Sequence, residues 1–395
     1  MKIAAGLDAG SEATRCMMLA LENSRLRFLG CGEAPGDGWH KGRVADPDRL
    51  ARSVLQAVEE AASQAGVEPE SVVVGVGGPV VAGFNNHWSY QFWRPREVGA
   101  GDLRFAIERA ADVKLGNDRM LLHVCPQDFT VDGTARYHYP RGATCSRLDA
   151  YVHLVTTSTQ ETQSVVSAVH KAHLAVEETV YEPLAAAYAA VRREERSRGV
   201  AVVDIGRHST DLVVYDGDAL VHSRSLPICG DHFTKDVVWG FAISYEDAEE
   251  LKRQYGCAIL GLTGDNSLIE VPSPDGRQGR EAPRRKLIEI LEARAEELFL
   301  YVEAELKYAR MERSLLEGVV LTGGGALLGG MCDMAERVLN CPASKGLTQG
   351  VQDLPERCDN PAWTPVAGLA MYSARLKLHK QQRRKAPGLL GLVIR

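Results

Sequence analysis

The stretch Asp8-Ala9-Gly10-Ser11-Glu12-Ala13-Thr14 recurs 196 residues later as Asp204-Ile205-Gly206-Arg207-His208-Ser209-Thr210. An apolar run precedes each stretch and another follows it, which predicts two strands joined by a turn at the glycine. A third apolar run, at 26–31 and again at 220–226, extends each hairpin. The repeat therefore predicts a duplicated protein in which both halves begin with the same three strands.

The correspondence between the halves continues along the chain. Residues 47–66 place apolar side chains at helical spacing behind Asp46 as an N-cap, and a strand over 72–78 follows and ends in glycines. In the second half, a helix predicted over about 285–313 precedes the stretch 319–325, which also ends in glycines. Motif, helix and glycine-ended strand in the same order predict two related α/β halves.

The two repeated turns have the chemistry of an anion site. An acidic residue before a glycine leaves backbone N–H groups open to an anion, so two such turns can hold a polyphosphate from both sides. The carboxylates of Asp8 and Asp204 are then placed to hold a hydrated Mg²⁺ ion. The alternative is that both stretches are ordinary Asx turns.

Two further features lie where a nucleotide site needs them. Gly323-Gly324-Gly325 precedes a helix predicted over 327–339, which suits a base or ribose packed against a helix N-terminus. Glu182 opens a helix predicted over 184–192, where an acidic side chain suits the positive end of the helix dipole. Capping alone explains Glu182; the alternative is that it orients water for attack on a terminal phosphate.

Composition disfavours several classes of protein. The 395 residues include 52 Asp or Glu against 46 Lys or Arg, and the net charge of -6 argues against a nucleic-acid binder with a basic surface. The nine cysteines form no C-x-x-C pair, which disfavours disulfides and a structural zinc. The longest uncharged apolar stretch, 72–84, is shorter than the roughly 20 residues of a spanning helix. A cytoplasmic body with reduced thiols is predicted.

These residues together resemble the superfamily of actin, Hsp70 and the sugar kinases, whose phosphate loops, adenosine loop and connecting Glu-Pro helix occur in this order. Within it, the chain is similar to the FtsA family of bacterial cell-division actin homologues over nearly its whole length. The similar segments include Leu122-His123-Val124-Cys125-Pro126-Gln127-Asp128-Phe129, Arg147 to Thr156, Asp247 to Ala258 and Ile269-Glu270-Val271-Pro272. Within them, Pro126-Gln127 and Glu270-Val271-Pro272 are more specific than any glycine loop.

The resemblance implies an α/β, actin-like ATPase fold of duplicated ribonuclease-H-like lobes with an FtsA-type subdomain inserted in the first lobe. The implied parts are a first lobe core of 1–83 plus 159–198, completed by about 362–378; the insertion, 84–158; a second lobe core of 199–230 plus 311–361; its outer subdomain, 231–310; and a basic linker with a membrane-targeting tail, 379–395.

The resemblance also implies ATP with Mg²⁺ in the cleft between the lobes. The residues that match the family's nucleotide loops are Asp8, Gly10, Ser11, Asp204, Gly206, Arg207, Ser209, Thr210, Gly323, Gly324 and Gly325. The chain departs from the family where Arg207 and His208 replace glycines, Ala13 replaces a lysine, and Glu12 adds negative charge. Arg207 either pairs with phosphates or keeps the backbone from approaching them. We therefore expect a conformational and polymerisation ligand that is hydrolysed weakly or not at all.

The family's partners are the C-terminal peptide of the tubulin-like protein FtsZ, further copies of the chain, and other division proteins that bind the inserted subdomain. The helix around Arg294 matches the family's peptide-binding helix. The alternative is a solvated helical face, because Glu292, Glu296 and Glu297 alternate with this arginine.

The C-terminal end has the features of a membrane anchor. The last 21 residues contain seven Lys or Arg and no Asp or Glu. They end in the apolar set Leu389, Leu390, Leu392, Val393 and Ile394. Such a tail is expected to bind the anionic inner face of the cytoplasmic membrane, and the alternative is a disordered solubilising tail.

The sequence thus predicts an ATP-binding, polymerising adaptor that tethers FtsZ to the membrane at the division site and binds no nucleic acid. The alternatives are a pilus-assembly actin-like scaffold and a catalytic ATPase or kinase of the same superfamily.

Overall fold

A computed structural model describes residues 2–262, 267–272, 279–311 and 314–385, with side chains described up to residue 380. The strands run in chain order as β1 (Lys2–Ala9), β2 (Ala13–Glu22), β3 (Arg25–Pro35), β4 (Trp39–His40), β5 (Arg43–Val44), β6 (Ser71–Val76), β7 (Ala82–Glu97), β8 (Arg119–Val131), β9 (Ala135–Tyr137), β10 (Thr144–Ser158), β11 (Ala175–Tyr181), β12 (Val200–Ile205), β13 (Thr210–Asp216), β14 (Ala219–Leu226), β15 (Leu268–Val271), β16 (Arg280–Pro283), β17 (Val319–Thr322), β18 (Ala343–Lys345) and β19 (Val351–Gln352).

The α-helices run in chain order as α1 (Pro47–Ala65), α2 (Ala100–Ala111), α3 (Thr159–Lys171), α4 (Glu182–Ala190), α5 (Arg193–Ser197), α6 (Gly230–Phe241), α7 (Tyr245–Tyr255), α8 (Arg284–Tyr308), α9 (Met331–Leu339) and α10 (Thr364–Lys385). Short 3-10 helices cover Leu260–Leu262, Gly324–Leu327 and Glu356–Cys358.

Two mixed sheets built on one plan form the centre of the molecule. The first has the order β11-β6-β1-β2-β3-β19 and the second the order β14-β13-β12-β17-β18. In each sheet an antiparallel hairpin, β1–β2 or β12–β13, continues into a third antiparallel strand, and a parallel strand, β6 or β17, pairs with its other side. The predicted duplication is confirmed for these strands, and the first sheet has one strand more, β19.

A separate sheet lies between β6 and α3 in the sequence. It has the order β7-β10-β8-β9, and α2 packs against it over an apolar core that includes Leu103, Phe129 and Leu148. It also contacts the second lobe, because the Gln127 amide donates to the carbonyl oxygen of Leu220 over 2.9 Å. The Pro126-Gln127 segment thus joins this sheet to β14.

The ends of α1 lie where the sequence predicts them. Asp46 Oδ1 accepts hydrogen bonds from the backbone N–H groups of Asp48 and Arg49, each over 3.0 Å. Gly66 ends the helix with φ 67°, a left-handed conformation that glycine adopts without strain. The bounds of this helix follow from local sequence, because both capping residues directly flank it.

Two predicted helices have different bounds. The helix predicted to reach residue 313 ends at Tyr308, because Arg310 takes a left-handed φ of 59° and breaks the hydrogen-bond ladder. The helix predicted over 327–339 begins only at Met331, because Gly330 has φ 78° and a 3-10 turn precedes it. Gly323 therefore caps a 3-10 turn that begins with Gly324 and Gly325, and the glycines do not lead directly into an α-helix.

The C-terminal helix α10 packs across the first sheet and continues to Lys385. Gly368 permits close packing on α4, since a Cβ there would lie 1.8 Å from the carbonyl oxygen of Ala185. The segment from residue 379 was predicted as a linker, but it is helical up to Lys385. Its Lys, Arg and Gln residues have a high helix propensity. Among the described residues, no helix combines the length and the apolar character needed to cross a membrane.

Candidate functional site

A cavity of about 580 Å³ lies in the cleft between the two central sheets. Most of the residues predicted to bind a nucleotide line it, namely Asp8, Gly10, Ser11, Glu182, Asp204, Gly206, Arg207, Ser209, Gly323, Gly324 and Gly325. Thr210 is also predicted, but it is buried behind the second turn and does not line the cavity. The fold thus brings together residues from four distant parts of the sequence.

The first turn presents one buried carboxyl group to the cavity. Asp8 is nearly buried at the end of β1 and lies opposite Arg15 on β2. Burial raises the pKa of Asp8 to about 6, although the charge of Arg15 acts in the opposite direction. Gly10 keeps the turn tight, since a Cβ there would lie 2.7 Å from the carbonyl oxygen of Ala13.

The second turn repeats this arrangement with one charge reversed. Asp204 is also nearly buried at the end of β12, and the residue opposite it on β13 is Asp211. Burial, and then the charges of Asp211 and Asp8, raise the pKa of Asp204 to about 8. The Gly206 N–H donates to the carbonyl oxygen of Ser209 over 2.8 Å and closes the turn.

Glu182 lies between the two turns at the start of α4. Its carboxyl group contacts the end of β6, where a Cβ at Gly75 or Gly77 would lie 2.6 Å from one of its oxygens. Burial, followed by the charges of Asp8 and Asp204, raises the pKa of Glu182 well above its usual value. Burial and the neighbouring carboxyl groups thus favour the protonated form of Glu182.

The glycines after β17 form the wall behind the second turn. Gly323 has φ 78°, and a Cβ there would lie 2.4 Å from Asp204 Oδ1. Gly325 packs against Ile205 in the same way, whereas a Cβ at Gly324 would meet nothing within 4 Å. The run of three glycines thus contains two that packing requires and one that faces open space.

Several polar atoms around the cavity have no hydrogen-bond partner in the described structure. They include Arg207 Nε and His208 Nδ1, and both of these side chains line the cavity. Because an unpaired buried polar group costs free energy, such atoms indicate that the cleft is built for a polar occupant.

The carboxyl groups do not form a complete metal site by themselves. In the described ranges, no group of three or more His, Cys, Asp or Glu side chains could hold a metal ion. Asp8 and Asp204 nevertheless fit a Mg²⁺ ion that takes its other ligands from water and phosphate, since burial disfavours both charges without a cation and the charges of Asp211 and Asp8 add to this at Asp204.

At the mouth of the cavity, Arg207 pairs with a carboxylate. Its NH1 atom lies 2.9 Å from an oxygen of Glu12 in the opposite lobe. Arg253 of α7 pairs with the other oxygen of Glu12. Sequence reasoning missed Arg253, because nothing in the pattern of α7 indicates that this helix reaches the first lobe.

Arg294 lies outside the cleft, on α8. Its guanidinium group contacts both oxygens of Asp236 on α6, over 2.6 and 3.0 Å, and also pairs with Glu297. Trp239, on the same helix as Asp236, exposes 85% of its surface. The tryptophan was not predicted, although an exposed large aromatic side chain is a frequent feature of binding sites.

The predicted membrane residues Leu389, Leu390, Leu392, Val393 and Ile394 lie outside the described residues. The prediction for them therefore stays a prediction.

Two segments of the chain match known protein families. Residues 201–368 match the family described as "Cell division protein FtsA", and residues 78–156 match the "SHS2 domain inserted in FTSA". The second match covers the sheet β7-β10-β8-β9, where an inserted subdomain is predicted.

Whole proteins are similar over almost the full length. The chain is 33% identical to the FtsA of Pseudomonas aeruginosa, over 94% of this chain and 89% of that protein. It is 29% identical to the FtsA of Escherichia coli K12, over 96% of this chain and 92% of that protein.

Solved structures show the same fold at lower identity. The PilM-PilN type IV pilus biogenesis complex gives a TM-score of 0.68 at 20% identity, covering 94% of this chain and 98% of that one. MreB5 of Spiroplasma citri bound to AMPPNP gives 0.57 at 13% identity, covering 97% and 99%. With the duplicated sheets, the inserted subdomain and relatives of this length, the chain belongs to the FtsA family of cell-division proteins.

Proposed function

We propose that the protein is an ATP-binding adaptor that polymerises and tethers FtsZ to the inner face of the cytoplasmic membrane at the division site. The observation that carries the proposal is the cleft, in which two equivalent acid-glycine turns face one cavity in a member of the FtsA family. A polymer of such subunits would present many weak membrane anchors together, which multiplies their binding strength.

In this proposal the phosphates of ATP lie between the turns at Gly10 and Gly206, and the base or ribose lies near Gly324. Asp8 and Asp204 would hold Mg²⁺ through water. The ion would neutralise phosphate charge and so stabilise a closed cleft. Burial raises the pKa of Glu182 and favours its protonated form, which supports weak or absent hydrolysis, because a general base must accept a proton from water.

Polymerisation is supported by the fold neighbours. The MamK double helical filament matches with a TM-score of 0.55 at 12% identity and covers 94% of this chain. MreB5, whose structures contain AMPPNP or ADP, shares the two-lobed architecture. We propose that nucleotide sets the angle between the lobes and thereby the fit between successive subunits.

For the FtsZ peptide, the described contacts favour a surface on α6 and α8. Trp239 supplies an exposed aromatic anchor, and Arg294 is held beside it by Asp236. Because two carboxylates already neutralise Arg294, the tryptophan is the stronger candidate for a residue that dominates binding. Trp239→Ala should lower peptide affinity by about tenfold or more, and Arg294→Gln should lower it less.

Arg285→Gln is the matched control, since Arg285 is on the same helix and pairs only with its neighbour Glu289 among the described residues. Fluorescence anisotropy with a labelled FtsZ C-terminal peptide measures all three variants. Unchanged affinity for both Trp239→Ala and Arg294→Gln would place the peptide on another surface.

The experiment that tests the adaptor function is co-sedimentation with liposomes. The full chain should pellet with anionic liposomes, bring FtsZ with it, and pellet more strongly with Mg-ATP. A variant truncated after Gly388 should remain in the supernatant with unchanged nucleotide binding. Equal pelleting of the truncated and full chains would remove the membrane part of the proposal.

A second candidate function is an actin-like scaffold in pilus assembly. It is favoured by the likeness to the PilM-PilN complex, which is at the level of fold. Genomic adjacency to a gene for a tubulin-like protein, together with FtsZ co-sedimentation, would distinguish the adaptor from this scaffold.

A further inference from the structure

One carboxylate joins three parts of the molecule at the mouth of the cleft. Glu12 extends from the first turn, and its two oxygens contact two different guanidinium groups of the second lobe, Arg207 and Arg253. Arg207 comes from the second turn and Arg253 from α7. The three side chains line the same cavity as the two turns.

Both arginines are held in place independently of Glu12. Arg253 Nε lies 2.8 Å from Glu249, one turn earlier on α7. The guanidinium group of Arg207 lies 5.3 Å from the ring centre of Tyr245, and its Nε atom is buried without a hydrogen-bond partner in the described structure. The two guanidinium groups thus contact the same carboxylate, and each also has a contact of its own within the second lobe.

We propose that Arg207 and Arg253 form a binding site for the terminal phosphate of the nucleotide, and that Glu12 occupies this site when the cleft is empty. The inference rests on the proposed nucleotide site. A terminal phosphate carries more charge than a carboxylate and offers three acceptor oxygens to guanidinium groups, so it displaces Glu12. Glu12 then acts as an internal competitor that sets nucleotide affinity and holds the empty lobes together.

The competition predicts a specific dependence on phosphate number. Glu12→Gln removes the competing charge and should tighten Mg-ATP binding by about tenfold, because two partly exposed ion pairs no longer have to break. AMP carries no terminal phosphate at this point, so its affinity should change less than about twofold. Arg253→Gln should weaken Mg-ATP by several-fold and leave AMP unchanged.

Glu250→Gln is the matched control. It removes the same charge from an exposed position of α7 and leaves the Glu12 contacts intact. Titration calorimetry with Mg-ATP and AMP should show no difference between this control and the wild type. Hydrogen exchange of the nucleotide-free Glu12→Gln variant should increase around the second turn, because the contact between the lobes is lost.

The outcomes separate this inference from the function on which it rests. If the wild type binds Mg-ATP and Glu12→Gln binds it equally well, or gains equally for ATP and AMP, Glu12 does not compete with a terminal phosphate and the inference is wrong. If neither the wild type nor Glu12→Gln binds Mg-ATP, the proposed nucleotide site itself is wrong.

Discussion

The two repeated turns share a backbone and differ in charge. In each, an aspartate is the last but one residue of the first strand, and a glycine follows two residues after it. The residue opposite the aspartate is Arg15 in the first hairpin and Asp211 in the second. The pKa is accordingly about 6 for Asp8 and about 8 for Asp204.

The two halves thus share the backbone geometry of their turns but differ in the charges around the buried aspartate. At pH 7 the first aspartate is mostly ionised and the second mostly protonated. A cation that binds between them must therefore release a proton, chiefly from Asp204. The asymmetry extends to the mouth, where the first turn supplies Glu12 and the second supplies Arg207.

The largest expected effect comes from the glycine behind the second turn. Gly323→Ala should destabilise the protein by about 3 kcal/mol, because φ 78° is strained for alanine and the new Cβ would lie 2.4 Å from Asp204 Oδ1. Gly324→Ala is the control and should stay within about 0.5 kcal/mol, since its Cβ would meet nothing within 4 Å. Urea unfolding measures both, and equal stabilities would contradict the described packing.

The next largest effect is a difference between the two aspartates in how they change stability with pH. Both carboxyl groups have a pKa in the folded state that lies above their unfolded value of about 4. Each therefore costs stability as pH rises from that value towards its folded pKa. Asp204→Asn should remove this cost and stabilise the nucleotide-free protein by about 2 kcal/mol at pH 8.

Asp8→Asn is the comparison for this prediction. The stabilisation of the folded protein by Asp8→Asn should level off above pH 6, whereas the stabilisation by Asp204→Asn should continue to rise to pH 8. Urea unfolding at pH 6.5 and at pH 8 measures the difference. Identical pH dependence for the two variants would show that the turns are electrostatically equivalent.

The smallest effect tests the cause of the asymmetry. Arg15 lowers the pKa of Asp8, so Arg15→Gln should raise that pKa and make the two turns more alike. A double-mutant cycle of Arg15→Gln with Asp8→Asn at pH 7 should give a coupling of about 0.5 to 1 kcal/mol. A coupling of zero would show that Arg15 is not the cause of the lower pKa of Asp8.

The sequence was sufficient for features whose signals are local or repeated. Both hairpins, the caps of α1 and the glycine wall follow from turn chemistry and from the offset between the halves. The chemistry of Asp8 and Asp204 indicated an anion site, and the resemblance to the actin superfamily implied that the two turns face one cleft, since duplication alone does not fix how two halves are oriented.

The remaining features depend on contacts between distant residues. Arg253 and Trp239 lie on helices whose orientation is decided by packing, so no pattern in their own segments marks them. α8 ends earlier than predicted because one residue, Arg310, takes a left-handed conformation. The position holds no glycine, the residue that usually indicates such a conformation in a sequence. The helical continuation to Lys385 was missed because a run of basic residues was interpreted as a linker and not as a helix.

The central claim is that the two turns together bind a magnesium nucleotide, and thermal unfolding with Mg-ATP tests it most directly. Saturating Mg-ATP at a hundredfold excess over Kd should stabilise the wild type by about 2.7 kcal/mol, and Asp204→Ala should lose most of that gain. A melting temperature of the wild type that does not change with Mg-ATP would contradict the account, because the side chains of Arg207 and His208 would then have closed the cleft to nucleotide.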